Sequence, residues 1–454
     1  MLASSLSFVE GSVLNVALPA VRDSFDAGAA DVQWVVNAYL LPLSALLLLG
    51  GALGDHYGRR RLLLIGTALF AAASLLCALA PDLTWLLAGR ALQGIGAALL
   101  LPNSLALLNA AFEGEERGRA VGIWAAAGAA SAAGAPLLGG WLVDNVGWPA
   151  IFYINLPLAA GAMLLAGRFA AESRNDGAGR TDYPGALLAT AGLGGLTYGL
   201  TLWSVDLRFK PGAVIASVLG LLALAAFLRV EWQRKERAMM PLAMFGNRCF
   251  VGLTALTFLL YGAFGAAMLL VPYVLIEAGG YSPVGAGVAM LPLPILIAVA
   301  SPLMGKLAGR TGGRRLLTVG PLVVAAGMLL GTRIEADASY WTSVFPAMAV
   351  MAAGMALAVA PLTSTVLASV DNEHTGTASG LNSAVARTGG LIATAMLGAV
   401  LAREGAALID SFHSALIAGA AVSALAGLCA WLSVHTKQKA ARGEPRTAFP
   451  LSSR

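Results

Sequence analysis

The chain has little charge, few cysteines and no polar stretch long enough for a soluble domain. Only 12% of its 454 residues are charged, whereas 58% are hydrophobic and the mean hydropathy is +0.77. These values lie outside the range of soluble globular proteins. The three cysteines, Cys77, Cys249 and Cys429, lie in separate apolar runs, which indicates packing rather than disulfides or a metal site. HExxH, GxSxG and P-loop motifs are absent, so no motif predicts an enzyme.

What the sequence does contain is a series of apolar runs of about 20 residues, the length that crosses a hydrocarbon core. The runs are continuously apolar rather than alternating, which predicts helices and not a barrel. Glycine is abundant, with 54 residues, as suits membrane helices in close contact. We predict an all-α polytopic membrane protein with fourteen spans, roughly 2–21, 33–54, 61–80, 83–110, 119–143, 148–169, 184–204, 211–230, 249–277, 283–308, 315–333, 341–370, 377–402 and 411–434.

Loop charges predict the orientation of these spans. Most of the 29 Lys and Arg fall in loops that are cytoplasmic if both termini are cytoplasmic, and this bias explains the net charge of +5 without nucleic acid. The first span has no positively charged leader, so we expect no cleavable signal. Two polar linkers bracket a central pair of spans. The expected plan is a six-helix bundle at 1–170, linkers with two additional helices at 171–248, a second six-helix bundle at 249–434 and a cytoplasmic tail at 435–454.

Two similar loops indicate that the halves are duplicated. The second span is followed by GALGDHYGRRR (51–61) and the tenth by GKLAGRTGGRR (305–315). Transporters are often built from such repeats around a midplane site. Glycines here permit close helix approach, and Asp55 is suited to cap a helix or pair with an arginine. We predict a conformational latch, with a plain positive-inside loop as the alternative; its residues are Gly51, Asp55, Gly58, Arg59 and Arg60.

Four further motifs follow in order along the first half: VEGSVLNVALP in span one, GRALQGIGAA in span four, GAPLLGG in span five and GWPAIFYINLP at the start of span six. Together with GALGDHYGRRR, they resemble motifs of the major facilitator superfamily and, more narrowly, of its fourteen-span drug:proton antiporter branch. The resemblance covers nearly the whole chain. It implies two six-helix bundles with two extra helices, export driven by a proton gradient with no other cofactor, and an inner-membrane monomer. The departures are Glu10 for the usual Asp, Ala135 for the usual Gly and WPA for the usual Trp-Arg-Trp.

Glu10 and Arg90 are the charged residues predicted to lie deepest in the first half. An ionised carboxylate at mid-membrane is costly unless it is paired, hydrated or protonated for part of a cycle. At about 1.5 Å per residue, Glu10 and Arg90 lie at similar depths. We therefore predict that this pair couples proton movement to transport. The alternatives are a permanently neutral structural acid and an arginine bonded only to helix carbonyls.

The fifth span is rich in small residues and contains a proline. Small residues allow tight helix contact, and a proline bends a helix. The span is therefore predicted to form the hinge and seal between the halves through Gly134, Pro136, Gly139 and Gly140, although a generic packing face is the alternative.

Polar and aromatic residues within the spans predict a large apolar cavity. Many aromatic residues would instead face lipid or the interface. Arg387 would alternatively extend toward a membrane surface, and Glu277 is interpreted as a solvated end group. The candidate cavity residues are Asn15, Trp34, Tyr39, Gln93, Trp124, Tyr261, Asn382 and Arg387.

The predicted function is proton-coupled efflux of hydrophobic small molecules. Neutral to monocationic drugs, toxins or secondary metabolites are expected, because Glu10 is the only acid predicted deep within a span. The expected partners are this substrate, protons and the lipid bilayer, with no nucleic acid. An importer or uniporter on the same fold remains open, as does a non-transporting sensor or membrane enzyme.

Overall fold

The computed structural model describes residues 1–112, 114–174, 182–208, 210–234, 238, 240–336, 338–370 and 375–434. The predicted tail and parts of both predicted linkers lie outside the described residues. The helices are α1 Leu2–Phe25, α2 Ala29–Tyr57, α3 Arg59–Ala78, α4 Leu83–Ala111, α5 Gly114–Asn145, α6 Ala150–Tyr153, α7 Asn155–Phe169, α8 Tyr183–Asp206, α9 Pro211–Arg234, α10 Arg248–Glu277, α11 Pro283–Met290, α12 Pro292–Thr311, α13 Gly313–Gly331, α14 Phe345–Ala368, α15 Thr375–Ala395, α16 Gly398–Leu401 and α17 Gly405–Ser433. A 3₁₀ turn, Leu242–Gly246, precedes α10, and a π-helical turn, Tyr340–Val344, precedes α14.

Twelve helical segments within the described residues are long and apolar enough to cross a membrane. They coincide with twelve of the predicted spans. The fifth and thirteenth predicted spans correspond to α5 and α15, whose side chains are described only in part and which lie outside this set. The helical, multi-pass prediction is confirmed, whereas the count of fourteen spans stays a prediction.

Two predicted spans are interrupted helices. The sixth breaks between α6 and α7 at Ile154, three residues before Pro157, and the tenth breaks between α11 and α12 at Leu291, directly before Pro292. A proline has no N–H to donate and clashes with the carbonyl one turn earlier, which explains both positions. The first break makes Asn155 the first residue of α7.

Equivalent helices pair in the two halves. In the first half α2 and α3 both pack on α4, and in the second half α12 and α13 both pack on α14. Similarly, α1 packs on α5, as α10 packs on α15. Contacts between the halves also repeat, with α2 against α15 and α11 against α5. The additional helices α8 and α9 form a hairpin, and α8 packs on α2 and α15 beside this junction.

Corresponding glycines make the sharp turn in each repeated loop. Gly58 is the single residue between α2 and α3, and Gly312 is the single residue between α12 and α13. Their φ angles are +107° and +83°, values that residues with a side chain rarely adopt. The repeated glycine spacing in the sequence therefore reflects the same backbone turn in both halves.

Candidate functional site

Glu10 of α1 and Arg90 of α4 form an ion pair inside the first half. Each residue is only 1% exposed. Nη1 of Arg90 donates to Oε1 of Glu10 and, at 2.8 Å, to Oε1 of Gln93. Nε of Arg90 donates to the carbonyl of Val35 at 3.0 Å. The two charges that the sequence indicated as deep are thus brought into direct contact, and Gln93 joins them from the next turn of α4.

The second carboxylate oxygen of Glu10 is bound by a residue that the sequence analysis did not single out. Nδ2 of Asn155 donates to Oε2 of Glu10 at 2.8 Å and to Oγ of Ser74 at 3.3 Å. Nε2 of Gln93 donates to the same Ser74 hydroxyl at 2.8 Å. Asn155 was visible in the sequence as an amide inside the apolar stretch FYINLP. Side chains from four helices, α1, α3, α4 and α7, therefore form one buried polar network around Glu10.

Two aromatic rings cover the Arg90 guanidinium. Its Cζ lies 4.6 Å from the centre of the Tyr39 ring and 5.9 Å from that of Phe152. Such stacking stabilises a cation away from water. The Tyr39 hydroxyl lies 2.8 Å from Oγ of Ser7, which holds the ring in place. Arg90 is consequently held by aromatic faces as well as by its hydrogen bonds.

A cavity of ≈ 420 Å³ lies between the halves. Four of the predicted cavity residues line it, namely Asn15, Tyr39, Tyr261 and Arg387. Glu10 is not among the lining residues, whereas Tyr39 both lines the cavity and stacks on Arg90. The ion pair and the cavity are therefore neighbouring but separate, and Tyr39 lies between them.

The other four predicted cavity residues do not line this cavity. Trp34 packs against Tyr198 of α8, and Gln93 belongs to the Glu10 network. Nε1 of Trp124 donates to Oγ of Ser4 at 2.9 Å, joining α5 to α1. Oδ1 of Asn382 accepts from Thr257 at 2.7 Å, joining α15 to α10. These contacts place all four at helix–helix junctions.

The predicted hinge residues of α5 lie along two different contacts. A side chain at Gly139 would collide with Val13 of α1, and one at Gly140 would collide with the backbone at Pro283 and Val284 of α11. The cavity-lining Pro136 lies beside Gly287, where added side-chain atoms would meet the Pro136 carbonyl. Gly134, by contrast, has open space around it. The small residues therefore permit backbone contact between α5 and α11, across the two halves.

The predicted latch residues join α2 and α3 to the end of α7. Arg59 binds Oδ1 of Asp55 through Nε and Nη2, each at 2.8 Å. The Arg60 side chain donates to the carbonyls of Ala166 and Gly167. Gly51 lies against Pro102 of α4. All these contacts lie within the first half.

A residue beyond the predicted latch completes the turn at Gly58. The Glu172 carboxylate accepts from the backbone N–H groups of Arg60 at 2.9 Å and Arg61 at 3.1 Å. These N–H groups begin α3 and have no partner within the helix, so the carboxylate caps it. The position of Glu172 in a polar linker gave no sequence signal for this role.

The halves are also joined by polar contacts at the end where α1 finishes. Arg22 donates to the Tyr273 hydroxyl at 2.9 Å and to Oε1 of Glu404 at 2.8 Å. Its Nη1 lies 3.6 Å from Oε2 of Glu277, so Glu277 is part of an ion-pair cluster. Nearby, Asp144 of α5 accepts from the Val284 N–H at 3.1 Å. We refer to Arg22, Tyr273, Glu277 and Glu404 as the Arg22 cluster.

The arrangement places an ionisable acid in a buried polar network beside a cavity of ligand size. In the described part of the chain, no group of three or more His, Cys, Asp and Glu residues is placed to hold a metal ion. An acid held by an arginine and an amide can change its charge without contacting the cavity. The cavity itself offers an aromatic, mainly apolar lining of ligand size.

Comparison with known proteins agrees with this architecture. Residues 1–247 and 253–453 match the family model described as Major Facilitator Superfamily. The chain is 35% identical over 396 residues to the Multidrug resistance protein Stp of Mycobacterium tuberculosis, covering 87% of this chain and 73% of that protein. It is 33% identical over 442 residues to the Methylenomycin A resistance protein of Bacillus subtilis, covering 97% and 94%.

A solved structure has the same fold. The crystal structure of a D-xylose-proton symporter superposes with a TM-score of 0.69 at 17% identity, covering 96% of this chain and 97% of that one. At this identity the likeness concerns the fold alone.

Proposed function

Because the chain belongs to the major facilitator superfamily, we propose that it is a proton-coupled exporter of hydrophobic small molecules. It works by alternating access in the inner (cytoplasmic) membrane, as a fourteen-span monomer with both termini in the cytoplasm. Drugs, toxins and secondary metabolites are the class of cargo proposed. The names of the resistance proteins to which the chain is similar support export rather than import.

The observation that carries this proposal is the buried Glu10–Arg90 pair beside the cavity. An ion pair removed from water is held together by its own attraction and its hydrogen bonds, and losing one charge is strongly destabilising. A proton on Glu10 would abolish the attraction to Arg90 and leave the guanidinium with an unbalanced charge. Protonation is therefore a change to which the packing of α1 and α4 must respond.

Tyr39 supplies a physical connection between that change and the cargo. Its ring stacks on Arg90 on one side, and the same residue lines the cavity on the other. Movement of Arg90 after protonation of Glu10 would alter the position of Tyr39 and so the shape of the cavity. Proton and cargo are thus bound at separate, adjacent places rather than in one pocket.

The conformation of the chain fits one state of an alternating cycle. The Arg22 cluster and the Asp144–Val284 contact hold the halves together where α1 ends, which the proposed topology places at the outer surface. Export requires these contacts to break and the opposite end to close. The tight approach of α5 and α11 at Gly140 forms part of this outer closure.

The test is Glu10→Gln in proteoliposomes containing a fluorescent hydrophobic cargo. The amide keeps the size of Glu10 but takes no proton, so we expect proton-driven accumulation to fall at least about 100-fold while the variant still expresses. Glu10→Asp is the matched control, because it retains an ionisable group. A Glu10→Gln protein that still builds a gradient from a pH difference would disprove the coupling.

The direction of coupling decides between export and the alternatives. In an exporter, protons move opposite to cargo, so an imposed pH gradient drives the two in opposite directions across the vesicle membrane. Movement of both in the same direction would indicate an importer. Cargo equilibration with no response to pH would indicate a uniporter.

A further inference from the structure

Arg387 is the charged residue that faces the cavity. Among the described residues that line the cavity, no other is an Asp, Glu, Lys or Arg. Its neighbours there include Tyr39, Tyr261 and Asn15. The cavity therefore presents one positive charge on an otherwise aromatic and apolar wall.

The nearby carboxylate does not neutralise Arg387. Glu10 is engaged by Arg90 and Asn155, and it does not line the cavity. Over the described portion of the chain, Arg387 makes no hydrogen bond or ion pair with another protein group. The expectation of a neutral to monocationic cargo relied on Glu10 as the deep acid, and in the structure Glu10 does not line the cavity, where it could bind a cation.

The position of Arg387 along its helix makes solvation from a membrane surface difficult. It lies about 18 Å from the first residue of α15 and about 12 Å from the last, at a rise of about 1.5 Å per residue. An arginine side chain is too short to span either distance. A charge at this depth is costly, and such residues mark the path of a substrate or ion.

We propose that the cargo carries one negative charge, and that Arg387 binds this group while the aromatic wall holds an apolar body. The proposal rests on the export function proposed above and names its substrate class. Amphipathic carboxylates and other monoanions match this arrangement, since a guanidinium donates two parallel hydrogen bonds to such groups. The cavity volume of ≈ 420 Å³ suits a body of two or three rings.

A set of three fluorescent probes tests this charge preference. Dansylglycine, its primary amide and dansylethylenediamine share one aromatic body and carry a carboxylate, no charge and an ammonium group. Their binding to the purified full-length protein in nanodiscs is measured by the increase in dansyl fluorescence. We expect wild type to bind dansylglycine at least about 10-fold more tightly than either other probe.

Variants of Arg387 test whether the charge preference depends on its side chain. Arg387→Gln is expected to weaken dansylglycine binding about 10- to 100-fold and to change binding of the amide less than about 3-fold. Arg387→Lys keeps the charge and should retain part of the preference, which separates charge from misfolding. Arg333→Gln is the matched control, because Arg333 is exposed and does not line the cavity.

Several results would overturn the proposal: no saturable binding of dansylglycine, tighter binding of the ammonium probe, or equal losses for anion and amide in Arg387→Gln. If the protein binds the anion but is not a proton-driven exporter, the binding preference for dansylglycine would persist. In everted membrane vesicles, however, none of the three probes would accumulate under a pH gradient.

Discussion

At the residue scale, three neighbouring residues stabilise the charge of Glu10 within the membrane-spanning part of the protein. Arg90 neutralises the Glu10 charge, Asn155 donates to its second oxygen and Tyr39 covers the arginine. Each neighbour comes from a different helix, so the charge of the Glu10 carboxyl group affects contacts with α2, α4 and α7. Under the proposed proton coupling, neutralising Glu10 would therefore affect the packing of α1 against α2, α4 and α7.

Asn155→Ala tests the part of this network that the sequence did not indicate. Hydrogen bonds to charged groups contribute about 1.5–3 kcal/mol, so we expect the free energy of unfolding to fall by that amount. Thermal unfolding of the detergent-solubilised protein measures the change. Asn145→Ala is the control, since Asn145 is exposed at the end of α5 and should cost about 0.5 kcal/mol or less.

A double-mutant cycle identifies the partner of Asn155. In the Glu10→Gln background the charge is absent, so the cost of Asn155→Ala should drop below about 1 kcal/mol. An unchanged cost in that background would show that Asn155 acts through packing and not through Glu10.

At the element scale, the Asp182–Arg234 ion pair joins the start of α8 to the end of α9, and the Glu231 carboxyl group lies beside Asp182. Asp182, at the start of α8, binds Arg234 at 2.9 Å, and Glu231 of α9 accepts from the Met240 N–H at 2.5 Å. One oxygen of each acid, Oδ2 of Asp182 and Oε1 of Glu231, is buried without a hydrogen-bond partner in the described structure. Both oxygens lie against Gly185, within 3 Å of the position that a Cβ atom would occupy there.

Glu231→Gln is therefore expected to preserve or raise stability. The amide nitrogen would donate to Oδ2 of Asp182, while the amide oxygen would still accept from Met240. Glu231→Met has a similar size but leaves both groups unpaired, which costs about 1–3 kcal/mol. The melting temperatures of the two variants give the comparison, and equal losses in both would refute this account of the pair.

At the scale of the whole molecule, two halves of the same helix arrangement meet around the cavity and are closed at one end. The closure combines backbone contact between α5 and α11 with the partly exposed ion pairs of the Arg22 cluster. Ion pairs that remain in contact with water contribute little energy, about 1 kcal/mol or less. The proposed alternating-access cycle requires a weak closure, because these contacts would have to break at every turnover.

Arg22→Ala should consequently shift the population toward the state open at this end. A loss of about 1 kcal/mol corresponds to an increase of about 5-fold in that population. The measurement is the rate at which an impermeant maleimide modifies Ser12→Cys, a cavity position, in a background without native cysteines. Arg333→Ala is the matched control. Equal labelling rates in both variants would show that the Arg22 cluster does not hold the closed state.

The sequence alone was sufficient for the multi-pass helical fold, because lipid permits only long apolar helices and their length is legible in the chain. It also indicated Glu10 and Arg90, since a charge inside an apolar run has few explanations. The sequence did not show whether a given helix face points toward lipid or toward the cavity. Helices that are apolar all round carry no pattern that separates lipid from cavity, and so Trp34, Trp124 and Asn382 were predicted for a cavity that they do not line.

Only the tertiary structure decided which distant residues meet. Asn155 lies 145 positions from Glu10 and reaches it because a proline breaks the sixth predicted span just before α7. The acid in LSFVEGSVLNVALPAV and the arginine in NSAVARTGG both belong to deep helices, but packing assigns the first to a buried pair and the second to the cavity. Composition sets the cost of a buried charge, whereas helix packing sets what neutralises it.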